Sequence, residues 1–322
     1  MTETRNRLIL GEGMAGLGKN KYTMFGVAAI LLWSSLMALT RNIAELFGPI
    51  GGAAMMYTVS TLALAMVMGV PRFSDFNRKY LWLGGGLFVS YEIFLALALG
   101  MANDRYQAME MAVINYLWPA LTVLLAVVSS KRKVNILVYP SVFVAFVGVA
   151  WCISGDAGIS LSLLTDNIAT NPLTYFMAFS AAFIWAFYCN ITPKMSNGKN
   201  AIVLFFAATA ATLWVQYFIS GESGMTFNPS SVITLLLSGI VMGAGYALWN
   251  QAIIGGNMVL LATFSYFTPV FSTLFSSFYL SVALGASFWQ GVSLVTLGSL
   301  VCYWATKEKP EQQQVQASSS HS

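Results

Sequence analysis

The chain has 322 residues, of which 57% are hydrophobic and only 9% are charged, and its formal net charge at pH 7 is +4. A water-soluble domain carries roughly a quarter charged residues, so this composition excludes a soluble protein and indicates a chain that lies mostly in lipid. Because a membrane-spanning helix needs about 20 apolar residues, little length remains for a separate soluble domain. Receptors and sensors with large extramembrane modules are therefore disfavoured.

Long apolar runs without Lys or Arg predict ten membrane-spanning helices. In chain order they cover residues 22–40, 51–70, 80–101, 106–129, 134–154, 172–191, 201–220, 232–254, 258–280 and 287–306. Residues 1–21 contain four glycines among charged residues and predict a flexible cytoplasmic segment rather than a cleaved signal peptide. The polar residues 307–322 predict a disordered cytoplasmic tail.

The distribution of basic residues predicts the orientation in the membrane. All 16 Lys and Arg residues except Arg41 and Arg105 fall in loops that share a side with the N-terminus. Cytoplasmic loops are enriched in Lys and Arg, so both termini are predicted to face the cytoplasm. The basic clusters are explained as topology signals, and we expect no binding of nucleic acid.

The chain resembles itself at an offset of about 150 residues. Matching residues are Trp33 and Trp185, Tyr91 and Tyr246, Tyr116 and Tyr266, Pro119 and Pro269, Gly148 and Gly298, and Cys152 and Cys302. We predict two five-helix repeats, the first over residues 22–154 and the second over 172–306, joined by an external loop, 155–171. Since five is odd, the second repeat runs inverted relative to the first, as in many transporters whose substrate site lies near the midplane.

Aromatic side chains recur near the middle of these spans, roughly 15 to 20 Å from the helix starts. Such residues either fill space between helices or form flat walls for an aromatic or apolar ligand. Their concentration on spans 1, 3, 4, 6, 8 and 9 favours a lined central cavity. The aromatic site candidates are Trp33, Tyr91, Tyr116, Trp118, Trp185, Tyr246 and Tyr266.

Polar residues at the same depth supply further candidates. Asn115 and Ser265 are repeat mates, and each stands four residues before a proline, which frees the carbonyl group at that position. Together with Asn250, these groups could hold the charged ends of a zwitterion. The alternative is a packed polar contact between helices.

Glu92 and Glu110 are the acidic residues within the predicted spans, where no Lys or Arg is present. An ionisable group at membrane depth is a functional candidate. Glu92 lies near mid-span and is expected to face the cavity, where burial favours its protonated form; it could bind a proton or an ammonium group. Glu110 is about one turn from the start of its span, so an interfacial carboxylate is equally consistent with its position.

Several functions are excluded because the residue types they require are absent from the predicted spans. They contain no His and no Asp, so no Ser-His pair, metal-ligand set or Asp dyad can be assembled there. We therefore expect neither an enzyme nor a cofactor or metal site. The spans also lack Lys and Arg to clamp phosphate groups, which indicates a substrate of little net charge.

The repeated Trp in the first helix and Tyr-x-x-Pro in the fourth helix of each repeat resemble the drug/metabolite transporter superfamily, in its EamA-like branch. Longer strings, among them GPIGGAAMMY, LFVSYEIFLALALG, NYLWP, FIWAFYC, SYFTP and SFWQG, are similar to bacterial aromatic amino-acid exporters of that branch. The resemblance implies an all-α, ten-helix inner-membrane carrier with a central cavity, surrounded by lipid, that exports aromatic and other neutral amino acids. The hypothesis that follows is alternating access. A broad-specificity drug or metabolite exporter and a channel-like facilitator remain alternatives, and proton coupling stays open.

Overall fold

The computed structural model describes residues 2–130, 135–154, 161–197, 199–255 and 267–306. Every described regular element is helical, as expected for backbone in a bilayer, where a helix satisfies its own N–H and C=O groups. The α-helices are α1 (Thr2–Phe47), α2 (Pro49–Met68), α3 (Gly85–Gly100), α4 (Arg105–Asn115), α5 (Trp118–Ser130), α6 (Val138–Ser154), α7 (Leu161–Thr170), α8 (Pro172–Met195), α9 (Ile202–Ser220), α10 (Pro229–Gly255), α11 (Thr268–Tyr279) and α12 (Ala286–Thr306). A 3-10 turn covers Phe73–Asp75, and a π-helical turn, Tyr80–Gly84, leads directly into α3.

Six helices of the described part are long and apolar enough to cross a membrane, and the chain is therefore a multi-pass membrane protein. These segments are Lys21–Phe47, Pro49–Met68, Tyr80–Gly100, Pro172–Thr192, Ile202–Ser220 and Pro229–Trp249. Val138–Ile153 and Ala286–Cys302 are shorter apolar helices. Each segment overlaps a predicted span, and the largest difference is at the first, which continues to Phe47 although the prediction ends at residue 40.

Two segments contain more helix than the sequence indicated. α1 begins at Thr2, well before the predicted span, although its membrane-crossing part begins at Lys21. Within residues 155–171, predicted as a connecting loop, α7 forms, and the side-chain amide of Asn167 donates to the carbonyl of Ile153 at 2.5 Å. The predicted tail, 307–322, lies outside the described residues.

The fourth predicted span is broken into α4 and α5 at the sequence NYLWP. The N–H of Leu117 donates to the carbonyl of Ile114 at 3.1 Å, which is a tightened turn, and α5 then begins at Trp118. Pro119, the second residue of α5, has no N–H to continue the ladder of α4, but it fits the first turn of a new helix. The repeat mate Pro269 has the same position in α11, directly after Thr268.

The helices pack around a central space. α1 contacts α10 and α11, α3 contacts α8, α2 contacts α9 and α10, and α5 contacts α8. α6 and α12 pair with each other beside this group. Residues at the inner faces of α1, α3, α8 and α10 therefore meet near the middle of the bundle.

α6 and α12 approach each other closely because glycines face each other. A Cβ atom at Gly148 would lie 2.7 Å from both the carbonyl oxygen of Gly291 and the backbone nitrogen of Val295. A Cβ atom at Gly298 would lie 2.6 Å from the carbonyl oxygen of Ser141. The backbones are in direct contact, as small residues at membrane-helix interfaces allow.

The two basic residues on the predicted external side join helix ends. The Arg41 guanidinium donates to Glu45 at 2.9 Å and to the carbonyl of Ala102, just beyond α3, at 2.6 Å. Arg105 donates to Glu45 at 2.7 Å and to the carbonyl of Leu280, after α11, at 2.8 Å. These contacts tie the ends of α1, α3, α4 and α11 to one another.

Candidate functional site

A cavity of about 90 Å³ lies between the helices, lined from α1, α2, α3, α4, α5, α8, α10, α11 and α12. Eight of the eleven predicted site residues line it. They are Trp33, Tyr91, Glu92, Asn115, Tyr116, Trp118, Trp185 and Tyr246. Asn250 is on α10, but its side chain is outside the described part, and Ser265 and Tyr266 are outside the described residues.

Aromatic rings from three helices pack together in one wall of the cavity. The ring of Tyr91 on α3 lies 4.4 Å from that of Trp185 on α8, at an interplanar angle of 30°. Trp118 on α5 meets Trp185 edge-on at 6.4 Å. The break between α4 and α5 positions Trp118 there, at the first residue of a helix rather than inside one.

A second aromatic cluster joins α1 and α10. Trp33 lies 5.2 Å from the ring of Tyr246 and 5.0 Å from that of Trp249. Offset and edge-on contacts of this kind are the favoured arrangements of aromatic rings. The cavity is thus bordered by aromatic faces contributed from both predicted repeats.

Glu92 lies in the cavity wall and is 2% exposed. Its Oε2 accepts a hydrogen bond from the hydroxyl of Tyr57 at 2.5 Å, and its Oε1 accepts one from the hydroxyl of Tyr246 at 2.7 Å. Both oxygens of the Glu92 carboxyl group therefore have a tyrosine hydroxyl as partner.

Other polar atoms in the wall have no hydrogen-bond partner among the described residues. They are Nε1 of Trp33, a donor, Oδ1 of Asn115, an acceptor, and the hydroxyls of Tyr116 and Ser299, which can act as either. Each is buried. Buried polar groups are normally paired, so these four atoms are available to a ligand.

Sequence reasoning missed several lining residues, notably Tyr57, Trp249 and Ser299. Tyr57 lies in the second span, and no aromatic residue of that span was matched to one in the second repeat. The comparison between repeats therefore did not select it. Trp249 follows Tyr246 by three residues on α10 and precedes Asn250. The spacing of three residues from Tyr246 on the same helix could have identified Trp249 as a candidate lining residue.

Glu110 lies outside the cavity lining. It is 4% exposed, and its Oε2 accepts a hydrogen bond from the hydroxyl of Tyr175 on α8 at 2.5 Å. The carboxyl group is therefore buried between α4 and α8.

The protein is a multi-pass helical membrane protein, and its cavity is lined by aromatic side chains and a few polar groups. This is the architecture of a membrane transporter. A family model described as the EamA-like transporter family matches residues 172–304. The chain belongs to this family, because it also aligns at high identity with curated transporters over nearly its whole length. It is a transporter rather than an enzyme.

Two curated relatives are both called "Aromatic amino acid exporter YddG". The protein from Salmonella typhimurium is 43% identical over 289 residues, which are 90% of this chain and 99% of the relative. The protein from Escherichia coli is 44% identical over the same shares of each chain. A crystal structure of another protein has the same fold, with a TM-score of 0.61 at 23% identity, over 88% of this chain and 98% of that chain.

Proposed function

We propose that this protein exports aromatic and other neutral amino acids across the bacterial inner membrane by alternating access. The observation that carries this proposal is the cavity itself. Aromatic rings dominate its walls, and its charged lining group, among the described residues, is Glu92 alone. Flat apolar walls suit an aromatic side chain. The unpaired donor and acceptor atoms suit the charged ends of an amino acid. Both relatives named above are aromatic amino-acid exporters by name, in agreement with this substrate class.

Helix packing supports two inverted five-helix repeats, α1 to α6 and α8 to α12. Under the predicted correspondence α1 is equivalent to α8, α3 to α10, and α5 to α11. The contact between α1 and α10 is then equivalent to the contact between α8 and α3. The contact between α1 and α11 is equivalent to that between α8 and α5. The contacts of α2 with α9 and of α6 with α12 each join two equivalent helices. Such a pattern is what a two-fold axis in the membrane plane produces.

Charge placement supports cytoplasmic termini. Arg41 and Arg105 are the two basic residues assigned to the external side, and both form ion pairs with Glu45. The other basic residues of the sequence fall on the side of the N-terminus. Because cytoplasmic loops carry an excess of Lys and Arg, this bias predicts the inside face.

A broad-specificity exporter of cationic compounds is the second candidate, because the described lining carries a carboxylate and no basic side chain. The purified protein in proteoliposomes, assayed with radiolabelled Phe, Trp, Thr and a drug-like aromatic cation, separates the two functions. We expect saturable transport of Phe and Trp. Transport of the cation alone would replace the proposal by a multidrug exporter, and flux that rises linearly with concentration would replace it by a channel.

A further inference from the structure

We propose that Glu92 is the group that binds the substrate's ammonium, and that the hydroxyl of Tyr246 occupies Oε1 of Glu92 until that ammonium displaces it. The inference rests on the proposed function and adds which chemical group of the substrate is required. It assigns different roles to two hydroxyls that bind the same carboxylate, those of Tyr57 and Tyr246.

The charges of the cavity lining select an ammonium group. Glu92 is a buried carboxylate, and within the described part no Lys, Arg or His lines the cavity with it. An ammonium group has three donors and no acceptor. The oxygens of Glu92 and the unpaired Oδ1 of Asn115 can accept from it, and the nearby faces of Trp33 and Trp249 favour a cation.

Tyr57 is placed to hold the carboxylate permanently. It is on α2, in the same predicted repeat as Glu92 on α3, and it is 2% exposed. Its hydroxyl lies 2.5 Å from Oε2 and 3.5 Å from the backbone carbonyl oxygen of Glu92. α2 also contacts α9 and α10 of the second predicted repeat, and the ring of Tyr57 packs against the fully buried Phe206 on α9. Because Tyr57 and Glu92 belong to one predicted repeat, a rigid movement of that repeat against the other keeps their hydrogen bond and changes the contact with Phe206.

Tyr246 is placed to release the carboxylate. It belongs to α10 of the second predicted repeat, so its 2.7 Å hydrogen bond to Oε1 of Glu92 crosses from one repeat to the other. When the repeats move apart, this bond breaks and Oε1 loses its partner. A substrate ammonium at Oε1 replaces the hydroxyl, so the buried charge keeps a partner while the repeats separate.

The first test uses ligand analogues. Binding of radiolabelled Phe to the purified protein is measured in competition with phenethylamine, which keeps the ammonium, and with phenylpropionate, which keeps the carboxylate. We expect phenethylamine to compete and phenylpropionate to fail. Equal competition by both analogues would overturn the role of Glu92 and would leave the proposed transport of Phe intact. If the wild-type protein neither bound nor transported Phe, the proposed function itself would be overturned.

The second test compares two substitutions that each remove one hydroxyl. Tyr246→Phe removes the hydroxyl that competes with the ammonium, so the affinity for Phe is expected to rise about threefold to tenfold. Tyr57→Phe removes the hydroxyl that holds the Glu92 carboxyl group in place, so the affinity for Phe is expected to fall by a similar factor. Affinity changes of the same sign in both variants would contradict the displacement.

Glu92→Gln is expected to weaken the binding of radiolabelled Phe itself, because it removes the charged partner of the ammonium. Glu110→Gln is the matched control, because it makes the same chemical change at a buried carboxylate that also accepts from a tyrosine but does not line the cavity. All variants are compared as monodisperse protein. Should Glu92→Gln fail to fold, the two tyrosine variants still decide the proposal.

Discussion

Trp185 is the residue on which the aromatic wall centres. Its ring contacts those of Phe88, Tyr91, Trp118 and Tyr188, which come from α3, α5 and α8 itself. One indole therefore forms a face of the cavity and also fixes the rings beside it. Its removal is expected to open the wall and to deprive an aromatic ligand of its largest contact surface.

Trp185→Ala is expected to reduce Phe transport by at least tenfold, since burying an aromatic side chain contributes several kcal/mol. The measurement is initial transport rate in proteoliposomes, normalised to the amount of folded protein. Trp304→Ala is the matched control, because Trp304 is on α12 and is 68% exposed on the outer surface of the bundle. Equal rates in the two variants would remove the aromatic wall from the mechanism.

Much of the site could be predicted residue by residue from depth and repeat matching. These criteria selected Trp33, Trp185 and Glu92, which the structure places in one cavity. They could not select Tyr57, since its role depends on a hydrogen bond to Glu92 between two helices. Tertiary pairing of that kind leaves no periodic signal in a sequence.

At the scale of elements, proline and glycine positions were the most informative features. Pro119 indicated a disturbance in the fourth span, and the structure has a break there. Gly148 and Gly298 were matched as repeat mates, and both lie at the contact of α6 with α12. The helix α7 and the π-helical turn Tyr80–Gly84 were not predicted, because short helices depend on their packing more than on local propensity.

Gly148→Ala is expected to destabilise the protein by about 1–3 kcal/mol, because the added methyl group meets backbone atoms that cannot move aside. Thermal unfolding of the purified protein in detergent measures the effect. Gly86→Ala is the control, since Gly86 is an exposed glycine in α3 with nothing within 4 Å of the added Cβ atom. An unfolding temperature for Gly148→Ala as high as that for Gly86→Ala would show that the α6 and α12 contact is not tight.

At the scale of the whole molecule, polar contacts join the two predicted repeats on the side assigned to the exterior. The amide of Asn42 on α1 donates to the hydroxyl of Tyr279 on α11 at 2.7 Å. The carboxylate of Glu222, after α9, accepts from the N–H groups of Ile50 and Gly51 at the start of α2. Outward opening in an alternating-access cycle has to break these contacts, together with the bond between Tyr246 and Glu92.

Composition and charge predict ten spans and their alternation, because the bilayer fixes helix length and loop charge fixes direction. In the described part, six helices are long and apolar enough to cross a membrane. How the helices pair did not follow, since helix packing depends on side-chain shape across distant parts of the chain. The symmetric pairing of α1 with α10 and α8 with α3 became visible only in three dimensions.

Counterflow in proteoliposomes tests the central claim, that the two repeats alternate around a site for aromatic amino acids. Vesicles containing the purified protein are loaded with unlabelled Phe and diluted into a trace of radiolabelled Phe, beside vesicles loaded with buffer alone. The account predicts a transient accumulation of label in the Phe-loaded vesicles, because internal substrate returns the carrier to the outer side. Equal uptake of label by loaded and empty vesicles would contradict it and indicate an open pore.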